Sequence, residues 1–240
     1  MKKIKRIFLV ICALAITNIS VFAASGFEAI VNVPLGLSFG VSEGLYESLT
    51  PKSAAGFDSG VTVQLGYMIG LGKIGISILG ELGYSYDSYR VYYSGKLEGI
   101  AEGKMTTGLH THSFQIGLLP KINIGSFAIG VGAGVKIPVS AYSMTKTEAS
   151  LGNWGGTINS GELKLNRDDI ENAYSRNVIP YLKVTFDYSF FFNNKMAFNI
   201  GAYLGGDFGL GNKNPLNDEF IGVNSFDIGL QLGFRFAPKL

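Results

Sequence analysis

Two sets of residues in this 240-residue chain have types and spacings that could do chemistry. His110 and His112 stand two apart, with Ser113 beside them. On a strand, that spacing puts both imidazoles on one face, where they could hold a metal or supply a base to a serine nucleophile. The same alternation sends Ser113 to the face opposite His112, and no carboxylate is spaced to orient either ring. No catalytic residue and no metal site is therefore expected. No cofactor is expected either: Gly130-x-Gly132-x-Gly134 lies inside an alternating run with no helix behind it, unlike a phosphate cradle. The second set is Glu28, Glu81, Asp87, Lys121, Lys136, Lys183, Asp187, Asp207, Asp227 and Arg235. Each interrupts an apolar alternation in its polar phase. Charges held inside a fold need partners, so the chemistry expected of them is mutual pairing.

The elements that carry these charges read as strands. From Phe226 to Phe236 every even position is large and apolar, and every odd one is polar, charged or Gly. Successive strand side chains point to opposite faces, so this is a ribbon with one greasy and one polar face. The rhythm recurs in eight segments: 27–41, 59–71, 74–89, 112–124, 127–142, 178–190, 196–210 and 224–236. All ten charges fall on the polar face of their segment. These strands of 13 to 16 residues exceed the ~5–6 usual in globular sheets and are long enough to cross a bilayer. Past residue 27 no run of 18 residues lacks a charge, so a transmembrane helix is excluded. The connections alternate between tight (70–73, 123–126, 191–195) and long and polar (42–58, 90–111, 143–177, 211–223). A soluble lipocalin-like barrel would need the greasy faces turned inward; strand length and the asymmetry of the connections favour the membrane.

Composition agrees with one domain. Gly is unusually frequent at 33 residues, charged residues make up 16%, and there is a single Cys. Residues 1–23 read as a signal peptide: Lys2, Lys3, Lys5 and Arg6 precede an apolar stretch from Ile7 to Ile16, and Val21-Phe22-Ala23 supplies the cleavage site. Cleavage after Ala23 leaves residues 24–240 as the barrel domain, with 16 basic and 18 acidic residues. A nucleic-acid partner is thereby excluded, and Cys12 is lost with the leader.

A leader, eight alternating strands and alternating short and long connections resemble the small outer-membrane β-barrel superfamily, of the OmpA transmembrane-domain and OmpX type. Asp227-Ile-Gly229-Leu-Gln-Leu232-Gly-Phe234 is similar to the signal read by the barrel-assembly machinery, although this chain continues past Phe236 to Leu240. The resemblance implies an all-β, eight-stranded antiparallel up-and-down transmembrane β-barrel with short periplasmic turns and long external loops. It implies residence in the outer membrane of a diderm bacterium. The partners would be outer-membrane lipid, the assembly machinery and an extracellular partner met through the loops.

The lumen of eight strands holds its own side chains or one small ligand. The expected lumen network is Glu28, Glu81, Lys121, Lys136, Lys183, Asp187, Asp207, Asp227 and Arg235, with Glu28–Arg235 closing the seam and Glu81, Lys136, Lys183 and Asp227 forming a mid-barrel layer. Lipid-facing aromatic girdles are expected at Phe27, Phe127, Phe190, Phe198 and Phe236 near the turns, and at Phe39, Tyr84, Tyr86 and Phe208 near the loops. Within 143–177, Trp154, Arg167, Asp168 and Asp169 are the candidates for outside contact, with Asn166 capping a short helix. Two functions fit. One is a non-enzymatic structural or surface-interaction scaffold acting through its loops; the other is a small porin-like or transport barrel.

Overall fold

The computed structural model describes residues 24–42, 52–97, 101–151, 154–213 and 220–240; the expected leader lies outside them. Ten strands and one helix follow in order: β1 (Gly26–Ser42), β2 (Lys52–Leu71), β3 (Ile74–Leu97), β4 (Ala101–Ile124), β5 (Phe127–Leu151), β6 (Trp154–Asn166), α1 (Arg167–Ala173), β7 (Ile179–Phe191), β8 (Met196–Asp207), β9 (Gly211–Lys213) and β10 (Phe220–Phe236). Eight of them close a ring, β1-β2-β3-β4-β5-β7-β8-β10, in which β10 returns to pair antiparallel with β1 from Ala29↔Phe236 to Ser42↔Val223. Closure leaves the ring without an unpaired edge, which a strand in hydrocarbon could not tolerate.

The turns form where the chain permits them. Gly72 and Gly125 have φ of 74° and 58° and open the two-residue connections after Leu71 and Ile124. Tight hairpins need a positive φ there, and glycine reaches it without steric cost. The third turn is held by Asn193, whose Oδ1 accepts from the backbone N–H of Lys195 and Met196 at 2.8 and 2.7 Å.

At the other end the long connections differ from expectation. Much of 42–58, 90–111 and 143–177 is strand: β3 and β4 pair without interruption out to Leu97↔Ala101, and β5 runs on to Leu151. Beyond its pairing with β7, which ends at Lys136↔Ile179, β5 takes β6 as its partner from Ser140↔Asn166 to Leu151↔Trp154. A four-stranded sheet, β3-β4-β5-β6, therefore stands above the ring. Residue 139 is bulged where β5 changes partner, between the pairs His112↔Ser140 and Ser113↔Pro138; such a bulge re-aims the strand.

Inside and outside are inverted relative to a water-soluble fold. The wall between the girdles is apolar and exposed: Leu118 and Phe114 are 63% and 62% accessible, while Glu28, Gln64 and Asn123 are 0%. Near the turns Phe27, Phe127, Phe190, Phe198 and Phe236 are exposed as expected; near the loops Tyr84 and Phe208 are exposed, and Phe39 and Tyr86 half-buried. No helix among the described residues is long and apolar enough to cross a membrane.

Candidate functional site

The lumen is built in layers. At the turn end Arg235 Nε lies 2.8 Å from Glu28 Oε1, an ionic contact between the last and first strands of the ring. The Arg235 guanidinium also donates to Asn123 Oδ1 at 2.8 Å and to Ser189 Oγ at 3.1 Å, and Ser77 Oγ donates to Glu28 Oε2. One layer up, Lys121 Nζ reaches Asp187 Oδ2 at 2.9 Å, while Asp187 Oδ1 accepts from Gln231 at 2.5 Å and Asn199 at 3.3 Å. The third layer centres on Glu81. Its carboxylate takes Lys183 Nζ at 2.5 and 2.6 Å, Tyr181 OH at 3.0 Å, Gln64 Nε2 at 2.9 Å, and Gln115 Nε2. In the fourth layer Lys136 Nζ bridges Asp87 Oδ1 at 2.7 Å and Asp207 Oδ2 at 2.6 Å. Tyr89 OH donates to the same Asp207 oxygen at 2.8 Å, and Tyr203 OH donates to Asp58 Oδ2 at 2.7 Å.

The expected single mid-barrel layer is therefore two. Glu81 and Lys183 form one; Lys136 belongs to the next, with Asp87 and Asp207. Asp227 accepts from Ser225 Oγ at 3.2 Å and has no cation within 4.0 Å among the described residues. Counting residues from the turn ignores strand stagger, which displaces residues of equal count to different heights. Asp58, Tyr181, Tyr203, Gln64 and Gln115 were not in the expected network. Asp58 fell in the presumed 42–58 loop, although the alternation Phe57-Asp58-Ser59 continues the β2 phase and signals it.

Glycines let the large side chains cross. A Cβ on Gly36 would collide with the Tyr203 hydroxyl and lie 2.8 Å from the Ile228 carbonyl oxygen, and a Cβ on Gly117 would collide with the Tyr181 hydroxyl. What remains is a cavity of about 60 Å³ among Asp58, Asp87, Lys136, Tyr203, Asp207 and Asp227, room for a few waters.

Above this cavity the described residues form an apolar cluster. Ile170 of α1, fully buried, packs with Tyr89, Ala141, Ile179 and Leu210, flanked by Leu109, Leu165, Tyr174 and Val223. Asn166 and Asp169 form a reciprocal capping box, with Asp169 N–H to Asn166 Oδ1 at 3.0 Å and Asn166 N–H to Asp169 Oδ2 at 2.9 Å. Arg167 pairs with Glu171 at 2.6 Å and donates to the carbonyls of Pro138 and Asn177 at 3.2 and 2.9 Å. Of the four candidates for outside contact, Arg167 and Asp169 thus hold the plug helix, Asp168 is exposed in its first turn, and Trp154 begins β6 with its side chain outside the description.

His110 and His112 lie on the outer face, where Tyr86 OH meets His110 Nδ1 at 3.0 Å and Tyr84 OH meets His112 Nδ1 at 2.5 Å; Ser113 is buried on the inner side. Among the described residues no group of three or more His, Cys, Asp or Glu is arranged to hold a metal ion.

A closed, even-stranded antiparallel ring with an apolar outer wall, aromatic girdles and a polar, ion-paired interior is the architecture of an outer-membrane β-barrel, and here the ring has eight strands. No protein-family model matches the chain, and no curated protein does. Among solved structures, the chain is similar to Ail, the attachment invasion locus protein of Yersinia pestis, at 12% identity over 88% of this chain and 99% of that one, with a TM-score of 0.34. It is similar to Neisserial surface protein A at 12% identity, covering 89% and 98%, with a TM-score of 0.30. The outer-membrane protease OmpT of Escherichia coli matches at 10% identity, covering 88% and 96%, with a TM-score of 0.36.

Proposed function

We propose that this chain is a surface-interaction barrel: it is exported by its leader, inserted by the barrel-assembly machinery, and uses its ring as an anchor for the external β3-β4-β5-β6 sheet. The observation that carries this reading is the outer edge of β6. Among the described strands β6 pairs with β5 alone, so its far side offers a row of backbone donors and acceptors. An extended segment of another protein adds to such an edge by β-augmentation. Exposed side chains such as Glu162, Leu163 and Lys164 line the sheet there, and the mixed charge suits selection by backbone pairing rather than by steering.

The interior supports an anchor over a channel. Four layers of paired charge and the Ile170 plug occupy the lumen, and the cavity between them is about 60 Å³. The test is to display on bacteria the wild type and a variant in which the 144–163 hairpin is cut to a two-residue turn. Attachment to protein-coated surfaces should fall in the variant while its heat-modifiable gel shift persists. Equal attachment by both would refute a role for the sheet.

A further inference from the structure

The charges of the lumen do not balance, and the imbalance is confined to one layer. In the lower three, each carboxylate has its own cation: Glu28 has Arg235, Asp187 has Lys121, and Glu81 has Lys183. The fourth layer holds Asp58, Asp87, Asp207 and Asp227, each between 4% and 8% exposed. Among the described residues Lys136 is the one cation paired there, and it is taken up by Asp87 and Asp207. Asp58 and Asp227 are left without a counter-charge. Tyr203 OH donates to Asp58 Oδ2 at 2.7 Å, but Asp58 Oδ1 is buried with no partner. An ionised carboxylate taken out of water in this state is costly.

The strand register brings these two aspartates to one space. Asp58, Gly36, Gly229 and Tyr203 lie in a row across β2, β1, β10 and β8, and the two glycines let the tyrosine cross to the aspartate. The next inward-facing row toward the loops carries Gly56, Ser38, Asp227 and Gly205 on the same four strands. Gly205 leaves the wall beside Asp227 bare: a Cβ there would lie 3.8 Å from the Asp227 carboxylate. Asp58 and Asp227, one row apart, both line the cavity of about 60 Å³, and Tyr203 and Gly205 line it with them.

We propose that this cavity binds a calcium ion, with Asp58 and Asp227 as its charged ligands. Carboxylates and hydroxyls line the space, and among the described residues no thiol, thioether or imidazole does, so the donors suit a hard cation over a transition metal. No three carboxylates are arranged around one point, so the two aspartates, the Tyr203 hydroxyl and water make up the shell. Such an irregular, partly aqueous set fits calcium, which takes about six to eight oxygens in flexible geometry; magnesium demands a near-ideal octahedron. The double charge offsets the two aspartates that Lys136 leaves unanswered.

The experiment folds residues 24–240 in a zwitterionic detergent with terbium present, so that the probe ion need not pass the Ile170 cluster. Luminescence sensitised by tyrosine reports the bound ion, and calcium is titrated against it. Calcium should displace terbium from one site per barrel with a Kd of about 0.1–1 mM. Asp58→Asn and Asp227→Asn should each weaken calcium at least about tenfold by removing a ligand charge. The heat-modifiable gel shift should persist in both, since neither variant strands a partner cation. Glu148→Gln and Asp168→Asn, at exposed sites outside the lumen, should leave binding unchanged. An equal loss in those surface variants, or displacement by sodium as readily as by calcium, would overturn the proposal. So would the absence of saturable binding below about 10 mM, in which case protons are the counter-charge.

Discussion

Replacing Glu81 with methionine removes the acceptor on which four side chains converge. Glu81 is 1% exposed and Lys183 is 14% exposed in its side chain, so the pair is screened from water. Glu81→Met strands the Lys183 ammonium in the lumen, and breaking a buried pair from one side costs about 3–5 kcal/mol. Lys183→Met is milder, about 2–3 kcal/mol, because the carboxylate keeps the neutral donors Tyr181, Gln64 and Gln115. The double variant leaves no charge. Its loss reduces to unanswered amides and a hydroxyl at about 1 kcal/mol each, so it should lie close to the milder single and the cycle should give a coupling of about 3 kcal/mol. Urea unfolding in phospholipid vesicles, followed by the heat-modifiable gel shift, measures all four proteins. A double variant equal to the sum of the singles within about 0.5 kcal/mol would refute the pairing argument.

Four other outcomes follow from the same geometry. Arg235→Ala leaves Glu28 buried and Asn123 unanswered at the seam, and should cost about 3 kcal/mol in the same unfolding assay. Gly36→Ala drives a methyl against the Ile228 carbonyl and the Tyr203 hydroxyl, and should destabilise by about 1–3 kcal/mol, with partial relief in the Tyr203→Phe background. Ile170→Ala should loosen α1 by about 2–4 kcal/mol, read as faster amide exchange over 167–173 with little change in strands below the plug. Asn166→Ala removes the cap acceptor and should weaken the same helix by about 1 kcal/mol, read by the same exchange experiment.

The ring was legible because the bilayer writes itself into the sequence. Wherever a strand has lipid on one side and the lumen on the other, period-2 alternation is obligatory, and the phase of Phe226–Phe236 can be read by eye. Above the girdles both faces of the sheet meet water, so the alternation fades although the hydrogen-bond ladder continues. That is why 90–97, 101–111, 144–151 and 154–163 read as loop and are strand. Side-chain pairing was harder. Facing each charge inward follows from phase alone, but choosing Asp87 and Asp207 for Lys136 requires the stagger, which no single strand records. The plug was half visible: Asn166 and Asp169 announce a helix, but nothing local says that Ile170 turns back into the barrel mouth.

Current across a planar bilayer separates a membrane-spanning ring with a filled lumen from an open channel. Residues 24–240, refolded and showing the gel shift, should insert and stay electrically silent, because four layers of paired charge and the Ile170 cluster occupy the lumen. Steady, discrete openings from the folded protein would contradict a filled lumen and make the lumen, rather than the external sheet, the working part of the molecule.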